Sequence, residues 1–195
     1  MFRTVFLNAI VVRLSALGIV LTLATHRAEA QVEPFKVTGG GPAPRGLSIA
    51  GADSPHSATG HATHVGHYTG DRVANVLTFD PSTGSGTFRG SYVFVAPNGD
   101  RLACTYGDTR NGAREDGTFQ VYDAGFGNIV VVFIAEFNPI PAECTGRFAD
   151  VIDGSFLMVA MTDAFPLQIN GDGFTPPFDY TWEGDGWIEF GGGGR

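Results

Sequence analysis

The chain is poor in cysteine, poor in charge, and has no stretch that reads as a helix long enough for a crossover. It carries two cysteines in 195 residues, Cys104 and Cys144, with no C-x-x-C pair. The closely spaced thiol pairs of zinc ribbons and fingers are therefore excluded. Charged residues make up 16% of the chain, and the acids exceed the bases by 20 to 12, a net charge of −8. An acidic chain of this kind repels phosphate backbones, which argues against nucleic acid as a partner. Catalytic signatures are missing as well. There is no G-x-S-x-G elbow, since the nearest approach, Gly46-Leu47-Ser48-Ile49-Ala50, lacks the final glycine. Neither a G-x-G-x-x-G turn, a phosphate-binding Walker loop nor an H-E-x-x-H pair occurs, so no cofactor is implied.

The one long apolar region is at the N-terminus. Arg3 and Arg13 precede an apolar run over 14–24 (LSALGIVLTLA), and Ala28-Glu29-Ala30 gives a small-x-small cleavage pattern before Gln31. The apolar run is much shorter than the roughly 20 residues of a bilayer span. The pattern predicts a signal peptide over 1–30, the alternative being an uncleaved anchor, and a secreted, periplasmic or cell-surface location. After cleavage no transmembrane span is expected. Removing Arg3, Arg13, Arg27 and Glu29 leaves nine basic and nineteen acidic residues, a net charge of −10. What remains is enough for a single core. In an oxidising compartment Cys104 and Cys144 are expected to pair, and the disulfide would close a loop of about 40 residues worth roughly 4 kcal/mol. Two unrelated buried thiols are the other reading.

What the sequence does have is glycine, 28 residues of it, and 16 phenylalanines. Residues 31–59 are rich in Pro, Gly, Ala and Ser without a sustained period, and read as an irregular lead. From residue 60 to 190 short β-type runs alternate with turn signals, and 191–195 (GGGGR) reads as a frayed tail. Strands are predicted over 61–69, 72–79, 88–96, 101–106, 118–123, 128–137, 155–162 and 178–190. Gly70-Asp71 marks a turn between the first two, and Asn98-Gly99 is the strongest hairpin signal, because both positions favour positive φ. The run 128–137 (NIVVVFIAEF) is the most apolar after the leader. The last run alternates Phe178, Tyr180, Trp182, Ile188 and Phe190 against Asp179, Thr181, Glu183, Asp185 and Glu189, with a bend or bulge expected at Gly184 and Gly186. Short connections between sequential strands predict an all-β domain, a single eight-stranded antiparallel up-and-down barrel. The many Phe are enough to fill its axis.

Three segments carry a likeness. They are Ala62-Thr63-His64-Val65-Gly66 followed by Tyr68-Thr69, then Ala96-Pro97-Asn98-Gly99-Asp100, then Thr145-Gly146-Arg147-Phe148-Ala149 before Gly154. In order and spacing they resemble the allene-oxide-cyclase-like or dirigent-like (calycin-type) β-barrels of small exported bacterial proteins. The resemblance runs from about residue 60 to 190 and implies an eight-stranded barrel. It carries over no catalytic residue, and the family's Gly-Gly-Thr-Gly-Arg-Phe is here Glu143-Cys144-Thr145-Gly146-Arg147-Phe148. Fold likeness is not a reaction.

Few side chains remain as candidates for chemistry. Four of the five histidines lie between 56 and 67. His61 and His67, roughly 20 Å apart on an extended strand, cannot share an ion without a bend, so no metal site is expected. His64, within the first motif, reads as a structural residue at a strand end and, with Glu136 and Tyr92, as a weak catalytic candidate. Glu136 interrupts the apolar run. Pointing inward it would be a desolvated acid or base, and pointing outward a solvated charge. Arg147 reads either as a bracket on a neighbouring carbonyl or carboxylate, or as a guanidinium that grips an anionic ligand. The expected function is a non-enzymatic binding or surface module, with a small apolar ligand as the candidate partner. The alternative is a cyclase- or isomerase-like enzyme that works in an apolar pocket.

Overall fold

The computed structural model describes residues 30–192. The expected signal peptide, apart from Ala30, and the end of the expected tail lie outside them. The described residues form ten strands: β1 (Gln31–Ala43), β2 (Ser54–Ala62), β3 (Gly66–Asp80), β4 (Ser85–Val95), β5 (Arg101–Tyr106), β6 (Gly117–Gly125), β7 (Asn128–Pro139), β8 (Val151–Thr162), β9 (Phe165–Pro166) and β10 (Phe178–Phe190). Three short 3-10 turns complete the order.

The sheet closes on itself. Neighbouring strands of the sheet all pair antiparallel, and β10 returns to β1 in an unbroken register from Gln31↔Phe190 to Ala43↔Phe178. β5 and β6 share one position in this ring. Tyr106 faces Gly90 and Gly117 faces Phe88 on the same strand, β4, and both segments also pair with β7. The two form one strand interrupted by an excursion over 107–116. The result is a barrel-like ring of eight antiparallel positions in up-and-down order, with β9 a short addition to β7.

The alternation expected for 178–190 is observed in β10, and Tyr92 and Phe94 of β4 share its inner face. Phe94 and Tyr92 are fully buried, and Tyr180, Trp182, Ile188 and Phe190 face the same interior. Phe94 is the hub of this interior. Its ring lies 4.7 Å from Tyr92, 5.1 Å from Tyr68, and 6.2–6.4 Å from Phe35, Phe137, Phe156 and Trp182. Offset and edge-on contacts of this kind suit aromatic quadrupoles, and each buried Phe contributes about 1.5–3 kcal/mol. Most of the axis is thus filled by side chains.

Two boundaries differ from the sequence reading. The segment 31–59 is not an irregular lead, because it supplies β1 and most of β2. Nor do residues 61–69 form one strand. The chain turns at 63–65, where His64 takes φ 64°, and β3 then runs straight through Gly70-Asp71. The eight positions therefore match the expected number with different members, because β1 joins the ring and β5 and β6 count once. Gly184 and Gly186 make no bulge. Their pairings with β1 and β8 are continuous, and an added Cβ on Gly184 would come within 2.6 Å of the Leu157 carbonyl.

One end of the ring is capped. Residues 44–53 and 167–177 run together: the Thr175 backbone N–H donates to the Leu47 carbonyl, the Leu47 N–H donates to the Thr175 hydroxyl, and Ser48 bridges to Phe174. Arg45 lies over the Phe174 ring at 4.3 Å.

Candidate functional site

Beneath this cap the filled axis leaves a cavity of about 80 Å³. Leu47 and Ala43 line it on the cap side, and Phe88, Phe133, Phe137, Met158 and Phe178 form much of its wall. Its only ionisable lining groups are His56, Tyr106 and Tyr180. Larger hollows of about 490–660 Å³ lie among wall residues elsewhere, yet none of them is lined by His56 or its hydroxyl partners.

His56 comes from β2, three residues past the cap. Its Nδ1 is 2.9 Å from the Tyr180 hydroxyl and its Nε2 2.9 Å from the Tyr106 hydroxyl. Tyr92 stacks on the imidazole at 5.6 Å, and Trp182 meets it edge-on at 6.3 Å. The ring keeps some accessible surface because it lines the cavity, while protein encloses the rest. This enclosure lowers its pKa to about 4, since a charge without water is costly. Burial pushes both tyrosines well above the ordinary phenol range, helped in Tyr106 by Tyr92 and in Tyr180 by Tyr106 and Tyr68. At neutral pH the free site holds a neutral imidazole between two neutral phenols.

Tyr106 reaches its position because a glycine clears the way. Tyr106 crosses over Gly90 of β4, where an added Cβ would overlap its hydroxyl, and donates to the Val73 carbonyl at 3.0 Å. That carbonyl sits where the β3–β4 ladder skips Arg72 and Val73. Tyr180 donates to the Ser57 carbonyl at 3.0 Å, beyond the last β1–β2 pair, Gly40↔Thr59. Glycine within a strand often marks such a close approach.

The residues singled out from sequence fall elsewhere. Tyr92 is in the aromatic interior and donates to the Ala58 carbonyl at 3.1 Å, so its hydroxyl serves the wall. Glu136 shares the outward alternation of β7 with the exposed Ile134, opposite the cavity residues Ala135 and Phe137. It is nevertheless well covered. The Ser155 hydroxyl donates to Oε1, and the Arg114 backbone N–H donates to Oε2 at 3.0 Å. Burial pushes its pKa up, but these hydrogen bonds and the Arg114 charge outweigh burial and hold the carboxyl below its ordinary value. Glu136 stays ionised and is not a lumen acid.

His64 and Arg147 lie at the end opposite the cavity. Arg147 donates from Nε to Asp100 at 2.9 Å and from Nη1 to the His64 carbonyl at 3.0 Å, while His64 Nε2 donates to the Pro34 carbonyl at 3.2 Å. The three resemblance segments, far apart in the chain, are tied together here by one guanidinium. The bracket reading of Arg147 describes this geometry, and its donors point away from the cavity.

His61 and His67 correct the spacing argument. The turn at 63–65 makes them direct cross-strand partners, with ring centroids 5.5 Å apart. No cluster of three or more metal-ligating side chains occurs among the described residues. Cys104 and Cys144 are both buried free thiols, so the expected disulfide is not formed in this structure. Burial raises the pKa of each, and that of Cys104 is raised further by Cys144 nearby.

His56 itself was invisible as a site residue in the sequence. It falls in GADSPHSATG, whose Pro, Gly and Ser mimic a loop. No family profile, curated protein or solved structure matches the chain.

Proposed function

We propose that this is an exported binding module that holds a small apolar ligand in the cavity under its cap. The observation that carries the reading is an otherwise apolar cavity with one buried polar cluster, His56 between Tyr106 and Tyr180. Such a pairing of greasy walls and a few convergent polar groups is how proteins bind and orient small molecules. Its volume of about 80 Å³ limits the occupant to something smaller than benzene, which fits a cavity of about 150 Å³. The leader-like N-terminus supports export, and the acidic charge argues against nucleic acid. In an exporting compartment the two neighbouring thiols would be open to pairing. The convergence of the three segments on Arg147 supports membership in the allene-oxide-cyclase-like or dirigent-like group, with those segments as structural brackets.

A second reading follows from the same cluster. A neutral imidazole poised between two phenols can shuttle a proton, as a cyclase- or isomerase-like enzyme requires. Here the group that faces the pocket is His56 rather than Glu136, Tyr92 or His64.

Native mass spectrometry of the chain recovered from its own host tests the binding reading. A small adduct released on denaturation is expected, and Glu136→Gln should leave its occupancy unchanged. A bare chain that gains no thermal stability from xenon or small branched aliphatic molecules would refute it.

A further inference from the structure

The protons around His56 do not add up in the neutral state. Four contacts meet at the two tyrosine oxygens. Each oxygen is 3.0 Å from a backbone carbonyl, Val73 or Ser57, and 2.9 Å from an imidazole nitrogen. Every contact needs one proton between its heavy atoms. Two phenols and a neutral imidazole supply three. One contact is then left as two facing lone pairs, or one carbonyl loses its donor. An imidazolium supplies the fourth proton: it donates from both nitrogens, and each phenol accepts while passing its own proton to a carbonyl.

What the imidazolium lacks is a counter-charge. Facing His56 are Tyr92 from β4, Tyr106 from β5, and Tyr180 with Trp182 from β10. Its cross-strand partner on β3 is Arg72, whose guanidinium is carried to the surface and lies 3.7 Å from Glu143. The cavity residues of β1, β7 and β8 are apolar. No carboxylate lines the cavity, so the hydrogen-bonding frame suits a cation while the surroundings exclude one.

We propose that the cavity takes a small apolar carboxylic acid, which gives its proton to His56 and remains beside the imidazolium as the carboxylate. The inference rests on the cavity being a ligand site and names the chemistry of the ligand. The acid O–H bond breaks and an N–H bond forms on the imidazole, and nothing is oxidised or reduced. Both imidazolium N–H groups stay with the tyrosines, so the carboxylate is held by charge at short range, which is strong where water is excluded. The cavity volume of about 80 Å³, too small for benzene, points to a chain of two or three carbons. In neutral solution such an acid is already ionised, so binding draws the fourth proton from water.

Isothermal titration of the purified chain with sodium propionate at pH 7, in phosphate and in Tris, tests this. Uptake of about one proton per ligand is expected, with affinity falling about tenfold per pH unit above neutrality. Nitrogen NMR of His56 should show both ring nitrogens protonated once propionate is bound. Propionamide, of nearly the same shape and neutral, should bind at least about tenfold more weakly, without dependence on the buffer. Tyr106→Phe leaves two contacts, which a neutral imidazole and Tyr180 satisfy, so proton uptake should vanish in a folded protein. If propionamide binds as tightly as propionate with no proton uptake, the acid preference is overturned while the cavity remains a ligand site. If neither compound nor xenon binds, both readings fall.

Discussion

Replacing Gly39 with alanine separates two opposite expectations. Gly39 lies in GGGPA, a run that reads as flexible, and in a flexible segment Gly→Ala stabilises by about 0.4–1 kcal/mol through the unfolded state. In the structure Gly39 is mid-strand in β1, facing Trp182 on one side and Gly60 on the other. A Cβ there would overlap the Tyr68 hydroxyl and lie 2.6 Å from the Thr59 carbonyl and 2.9 Å from Trp182 Nε1. Tyr68 accepts from Trp182 Nε1 at 2.7 Å and donates to the Thr38 carbonyl at 3.2 Å. Displacing that hydroxyl loses two hydrogen bonds, about 1 kcal/mol each, and overpacking adds about 1–3 kcal/mol. The expected cost is about 3–5 kcal/mol, a large part of a typical domain's total of about 5–15 kcal/mol. Urea unfolding followed by tryptophan fluorescence measures it, because Trp182 is part of the affected contact. Gly171→Ala is the control, with nothing within 4 Å and no positive φ, and should be near neutral. In Gly39→Ala with Tyr68→Phe the loss should be less than the sum of the two single losses, since the overlapping oxygen is gone. An unchanged or raised midpoint for Gly39→Ala would refute the crowded-strand account.

The enclosed imidazole and the buried thiols give two further expectations. His56 has a pKa of about 4 when folded and an ordinary value near 6.5 when unfolded, so below 6.5 the unfolded chain binds more protons. Ligand-free stability should therefore be full above pH 6.5 and fall as the pH drops towards 4, by about 3 kcal/mol from this group. Subtracting the profile of His56→Gln isolates the effect, and identical profiles would contradict it. For the thiols, the native reduced chain should react with Ellman's reagent far more slowly than the unfolded chain, which should read two groups, because burial disfavours both thiolates. Rapid reaction in the native state would show that these cysteines are accessible.

Strands whose inward residues are bulky were legible in the sequence. Phe88, Tyr92 and Phe94, or Phe178, Tyr180 and Trp182, announce an alternating face because burial acts on large side chains. β1 and β2 were not legible for the complementary reason. They lie beside the large rings, and their glycines, Gly39 and Gly60 among them, are what lets Tyr68 approach. Glycine chosen for lack of space looks the same in a sequence as glycine chosen for freedom. The turn at His64 was hidden because a non-glycine residue takes the positive φ, while Gly70, read as a turn, sits mid-strand beneath the Tyr92 hydroxyl. The cavity cluster joins His56, Tyr106 and Tyr180, up to 124 residues apart, and no local pattern links them. Glu136 drew attention as a charge in an apolar run, but that run is apolar on both sides, so alternation alone left its direction open.

The pairing of β1 with β10 has a consequence for how the chain reaches this state. The seam joins its first and last long strands, at separations of 135 to 159 residues, so the longest loops must close before the shortest-lived edges are protected. High contact order of this kind slows folding, to milliseconds or longer for small β domains. While the seam is open, β1 and β10 offer unpaired backbone to any other chain, the usual entry to aggregation. Once it shuts, the ring has no long free edge among the described residues. The hazard is therefore kinetic and confined to the nascent chain, which cannot shut the ring before residue 190 has been made.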